Sequence, residues 1–168
     1  MKTKQSGIAP LIIVAIIVVA TVAVGVGVYV ATRGGGTGGG GGNIASATSL
    51  SFNTEGTVQG QSFSGTIKIK DIGTSGMKLR LEGTTAGQET IAIINGLQQK
   101  CWMSFNGQWS DMSGMFSSLW STWNTQIEGY MDNLSSWNGE GTWTSPDGTY
   151  TISNLQVNPV LDDSLFVH

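Results

Sequence analysis

From residue 50 onward the chain alternates apolar and polar positions, shifts to a helical period after residue 110, and returns to alternation after residue 141. Leu50 and Phe52 open the first alternating stretch. Between Ser62 and Ile72, Phe63, Gly65, Ile67 and Ile69 point one way and Ser64, Thr66, Lys68 and Lys70 the other. Met77, Leu79 and Leu81 then alternate with Lys78, Arg80 and Glu82. Period two with one wet face predicts antiparallel strands packed on one side. Glu89–Ile94 and Gln98–Phe105 extend the series. Asn95-Gly96 and Asn106-Gly107 supply hairpin turns, since both residue types tolerate positive φ.

At Ser110-Asp111 the period changes. Met112, Met115, Phe116, Leu119, Trp120, Trp123, Ile127, Tyr130, Met131 and Leu134 recur mostly at spacings of three and four. This predicts a helix of about six turns with a wide apolar stripe. Ser110 or Asp111 is its expected cap, and Asn138-Gly139 its end. Two more strands, 141–144 and 149–157, flank the turn Ser145-Pro146-Asp147-Gly148. Asn158–Phe166 is expected as an ordered terminal extension. The economical architecture is α+β: an antiparallel, strongly curved, unclosed barrel-like sheet with one long aromatic-rich helix on its concave face.

Residues 8–32 carry no charge and are dominated by valine and isoleucine. About 20 apolar residues cross a bilayer as a helix, so this run is expected to be a transmembrane anchor. Lys2 and Lys4 precede it and only Arg33 follows closely, which places the N-terminus in the cytoplasm and the remainder outside. The alternative is a cleaved secretory signal, although such apolar regions usually span ~7–15 residues. Gly34–Gly42 is all glycine except Thr37, a flexible-linker composition with a span of ~15–18 Å. The expected division is a cytoplasmic N-terminus (1–7), a transmembrane helix (8–32), a glycine-rich linker (33–46) and an extracytoplasmic β-rich domain (47–168), in a single-pass cell-membrane protein.

Residues 43–168 hold eleven acidic and five basic side chains, a balance that argues against a nucleic-acid partner. A single cysteine, Cys101, excludes an intrachain disulfide and reads as a buried thiol. The sole histidine is His168, read as a frayed terminus, so no base is placed for a serine or cysteine nucleophile. Asp162-Asp163 falls short of the six to eight oxygens calcium takes. Neither catalytic activity nor a cofactor or metal is expected. Asn133-Leu134-Ser135 is a three-residue glycosylation match. Lys68, Lys70, Lys78 and Arg80 make a basic stripe if their strands pair, suited to anionic headgroups or to plain solvation.

The block contains six tryptophans. Trp102, Met115, Phe116, Trp120, Trp123 and Tyr130 are the candidate lining of an apolar groove between helix and sheet. Methionine and tryptophan suit an adaptable pocket for a lipid or another apolar ligand; simple core packing is the competing reading.

Met77–Glu82, followed by Gly87–Gly96, Gln99–Ser104 and Asn158–Phe166, resembles outer-membrane lipoprotein carrier proteins and the lipoprotein-sorting superfamily around them. That resemblance implies an unclosed barrel around helical elements and binding of acyl chains in the concavity. No individual ligand contact carries over. Lys4–Gly7 followed by Ile8–Leu11 resembles the N-terminus of archaeal type IV pilins, which implies processing between Gly7 and Ile8 and a structural surface role. The leading expectation is a membrane-tethered, non-catalytic module binding lipid or an apolar ligand, with membrane lipid as partner and oligomeric state open. The alternative is a pilin-like surface subunit.

Overall fold

The computed structural model describes residues 44–58, 61–85, 87–134, 137, 141–144 and 150–168. Eight strands form one antiparallel sheet: β1 (Ser49–Val58), β2 (Gln61–Lys70), β3 (Lys78–Thr85), β4 (Gln88–Asn95), β5 (Lys100–Phe105), β6 (Gln108–Asp111), β7 (Thr142–Thr144) and β8 (Tyr150–Val157). Their order across the sheet is β6-β5-β4-β3-β2-β1-β8-β7. The first six follow one another as a meander, and β8 returns to pair with the free side of β1. One helix, α1 (Phe116–Leu134), lies between β6 and β7 in the chain.

Register explains the core. Val157, Leu50, Ile69, Leu79, Ile94 and Cys101 are successive cross-strand partners, making one apolar row over six strands. Phe52, Ile67, Leu81, Ala92 and Met103 form the next row on the same face. Trp123, Ile127 and Leu134 of α1, each under 5% exposed, bury their apolar surface in the same cluster as these rows. Ile44 and Ala47, just before β1, join that cluster, and Ile44–Ser46 forms a 3-10 turn. A third row, Thr54, Gly65, Gly83 and Thr90, is made of small residues. There β2 and β3 approach so closely that a Cβ on Gly83 would stand 2.5 Å from the Gly65 Cα.

The expected strong curvature and barrel-like form are corrected: the sheet is open and not strongly curved. Curling requires repeated bulges or kinks. The ladders from β1 to β5 run without a slip, and the one irregularity among the described ladders lies between Ser51 and Asn53, where β1 meets β8. The edge strands are short, four residues in β6 and three in β7. The helix is also shorter than expected. Ser113–Met115 tightens into a 3-10 turn, and only 19 residues come after it as α-helix.

The membrane topology needs a correction too. No helix among the described residues is long and apolar enough to cross a membrane. The run 8–32 and the glycine segment 34–42 lie outside the described residues. The anchor, its lipid partner, and the single-pass extracytoplasmic location therefore have no support in the fold.

Candidate functional site

An apolar cavity of about 130 Å³ lies between β4–β5 and the start of α1. On the sheet side, Ala92, Ile94, Cys101 and Met103 face it, in line with their positions in the two apolar rows. On the helix side it is bounded by Met112, Met115, Leu119 and Trp123, with Ser118 and Thr122 at its margin. The Thr122 hydroxyl donates to the Ser118 carbonyl one turn back, at 3.0 Å. It is thereby spent on the helix and directs no polarity into the cavity. Among the described residues, no charged side chain lines the space.

Local chemistry fixes the helix start over β5. Asp111 Oδ1 accepts from the Ser113 amide at 2.8 Å. The N-cap position falls on Met112, which makes no side-chain cap bond, so neither Ser110 nor Asp111 is the cap expected from sequence. Hydrogen bonding from the Ser113 side chain, together with that amide, holds the Asp111 carboxyl below its ordinary range. The Ser113 hydroxyl in turn accepts from the Cys101 amide at 3.2 Å, and the Met112 amide donates to the Cys101 carbonyl at 2.9 Å. Thus the 3-10 turn is bonded to the strand that floors the cavity. Burial pushes the Cys101 thiol up to about 11, with the Asp111 charge adding to the effect. A thiol held neutral in this way is a poor nucleophile at neutral pH.

The six sequence-predicted residues divide. Met115 and Trp123 line the cavity directly. Trp102 borders it from the strand between Cys101 and Met103, but alternation sends its indole to the opposite face, in register with Ile93 and Asp111. Phe116 and Trp120 stack on each other at 5.4 Å and pack against the main core. Trp120 fills the space over Gly96, where an added Cβ would meet its ring at 2.6 Å and the Ser75 carbonyl at 2.7 Å. Tyr130 lies in α1, and its side chain is outside the described part of the structure. Residues not anticipated as lining are Ala92, Ile94, Cys101, Met103, Met112 and Leu119. A readable signal existed for all six: Met112 and Leu119 stand in the helical stripe, and the other four in the strand alternation. Pairing the strands around the Asn95-Gly96 turn sets Ile94 against Cys101 and Ala92 against Met103.

The opposite face of the sheet carries the charges. Lys68 pairs in register with Arg80, and Lys70 with Lys78, so the basic stripe forms. Of the two readings left open for it, headgroup contact or plain solvation, neither describes what lies on it: the stripe is met by the chain's own carboxylates. Glu82 bonds both Lys68 and Arg80, the latter at 2.9 Å. The segment 159–168 runs across the remainder and places Asp163 Oδ1 at 2.9 Å from Lys70 Nζ and 2.7 Å from Lys78 Nζ. His168, expected to fray, stacks on Trp109 at 4.0 Å.

Elsewhere, a wider hollow of about 560 Å³ sits at the far end of the sheet, lined by Glu55, Thr57, Ser62, Ser64, Phe63 and Tyr150 among others. It is open, with polar and apolar lining in similar measure, and among the described residues Glu55 is its one carboxylate. No group of three or more histidine, cysteine, aspartate or glutamate side chains among the described residues is placed to hold a metal.

Comparisons with protein-family models, with curated proteins and with solved structures gave no match. The resemblances to lipoprotein carriers and to archaeal pilins are therefore withdrawn, and no residue role rests on either.

Proposed function

We propose that this domain is a non-catalytic binding module that takes one small apolar group, about the size of a single ring, between α1 and β4–β5. The observation that carries this reading is the apolar lining of the 130 Å³ cavity. An apolar protein cavity of about 150 Å³ stays dry and admits benzene. Sites for larger ligands run to about 300–1,000 Å³, so the tethered lipid-binding module expected from sequence is replaced by a module for a smaller guest. Methionines at 103, 112 and 115 give the lining polarizable, adaptable walls. The one thiol in the lining, Cys101, is held neutral by burial, which suits a passive wall.

The test uses benzene and indole as probes, with methyl-labelled methionine followed by NMR. Saturable shifts at Met103, Met112 and Met115 are expected at one probe per chain. Ala92→Leu fills the cavity from the sheet side. It should abolish those shifts while leaving thermal stability equal or higher, because filling a void commonly adds about 0.5–2 kcal/mol. Unchanged binding in Ala92→Leu, or no saturable shift in the unaltered chain, would sink the proposal.

A further inference from the structure

The second face of the sheet is built like a peptide-recognition site. Four cations stand in two cross-strand pairs, Lys68 with Arg80 and Lys70 with Lys78. The sheet itself offers them Glu82, and the β2–β3 turn offers Asp71 at 3.4 Å from Lys78. Four positive charges against two leave an excess that the segment 159–168 answers. Beside the cations the same face turns apolar and aromatic, with Ile93 next to Arg80 and Trp109 two strands further on. The segment presents its groups in matching order, Asp163 over the lysines and then Phe166, which is 0% exposed.

The bonds that hold it are those by which a groove reads a bound peptide. Lys70 Nζ donates to the Leu161 carbonyl at 2.9 Å, Arg80 to the Leu165 carbonyl at 3.0 Å, and Asn95 Nδ2 to the Phe166 carbonyl at 3.0 Å. These three are indifferent to sequence. Asp163 and Phe166 supply selectivity, a charge read by two lysines and a buried aromatic anchor. The segment forms no strand of the sheet. Its shape is largely its own, since Asp162 accepts from the Ser164 amide at 2.8 Å and caps a 3-10 turn over Asp163–Phe166.

The attachment to β8 is short. Asn158, at φ 55°, is pinned to Thr48 and Ser49, and Pro159 to Ser49, after which Val160 is fully exposed. We propose that this face is a docking groove for an acidic–aromatic peptide, filled in cis by residues 159–168, and that it accepts the same segment from a second copy of the chain. The chain's own segment is the one sequence seen to fit, and short connections favour reciprocal exchange into a two-fold dimer.

Two full-length variants separate groove from segment. Asp163→Asn with Phe166→Ala spoils the segment and keeps the groove. Lys70→Glu with Lys78→Glu spoils the groove and keeps the segment. Each alone should be monomeric by size-exclusion chromatography with light scattering, and their mixture should yield a one-to-one heterodimer. A synthetic peptide of residues 159–168 should quench or shift tryptophan fluorescence of the first variant, and its Asp163→Asn form should bind at least tenfold more weakly. If circular dichroism shows either double variant unfolded, Asp163→Asn and Lys70→Glu alone carry the same measurements. Folded variants that stay monomeric on mixing overturn exchange between copies. A peptide that leaves the fluorescence unchanged overturns the groove itself.

Discussion

Asp163 is 68% exposed on its side chain, yet its carboxyl is drawn down to about 2 by hydrogen bonds from Lys78 and then Lys70. The ordinary value is 3.8. A depressed folded value contributes stability above the unfolded value, and that contribution is lost as pH falls toward 2. Lys78 is raised above 10.5, chiefly by the same bond to Asp163. Its share is complete below 10.5 and is lost as pH rises through the folded value. Thermal melts should therefore show Asp163→Asn less stable than the unaltered chain at pH 6, with the gap closing between about pH 4 and pH 2. Added salt should narrow the gap at pH 6, since the carboxylate is solvated. A gap that persists at pH 2 would contradict the ion-pair account.

Gly83 makes a different demand at the same scale. A Cβ there would meet backbone, the Gly65 Cα at 2.5 Å and the Ser64 carbonyl carbon at 2.9 Å. Backbone in a paired ladder cannot step aside as a flexible side chain can. Urea unfolding of Gly83→Ala should show a loss of about 1–3 kcal/mol. Gly114 meets nothing within 4 Å, so Gly114→Ala serves as the control and should cost nothing.

Among the elements, α1 depends on its apolar stripe. Phe116, Leu119, Trp120, Trp123, Ile127, Met131 and Leu134 all pack in or against the core. Trp123 belongs to the buried core cluster and also lines the cavity. Truncating a buried tryptophan costs about 3–5 kcal/mol. Trp123→Ala should show a loss of that order in denaturant. A variant that keeps full stability would mean the helix is held elsewhere.

The stripe was legible because spacing of three and four selects one helix face. The strands were legible because period two selects one sheet face, and Lys68 to Glu82 fell on the wet side as alternation required. Asn106-Gly107 turned as expected, with φ of 46° and 80°. The Asn95-Gly96 hairpin proved longer, because Asn95 stays in β4 and the chain turns over 96–99. Trp102 is among the residues bordering the cavity, and its place between two inward residues, visible in the sequence, turns its indole toward the opposite face. Residues 158–168 show neither period. Nothing in their spacing could reveal that they cross the charged face, and only tertiary ion pairing shows it.

At the scale of the molecule, the two faces divide the labour. One carries the helix and a small apolar cavity, the other a charged groove filled by the chain's own segment. Antiparallel sense and the order of elements were legible in the pattern, while the absence of strong curvature was not. Curvature depends on bulges and kinks at particular positions, and the glycines of the central strands, Gly65 and Gly83, instead let β2 and β3 approach.

The pairing of β8 with β1 has a consequence for how the chain is made. The meander from β1 to β6 joins neighbours in sequence, so those hairpins can close as they leave the ribosome. The outer side of β1 cannot. Its partner begins at Tyr150, about a hundred residues later in synthesis. Throughout that interval Leu50–Gly56 presents open backbone donors and acceptors, the template by which strands recruit foreign chains. Nascent or fragmentary forms that lack β8 are therefore the ones expected to aggregate, and they would do so through β1.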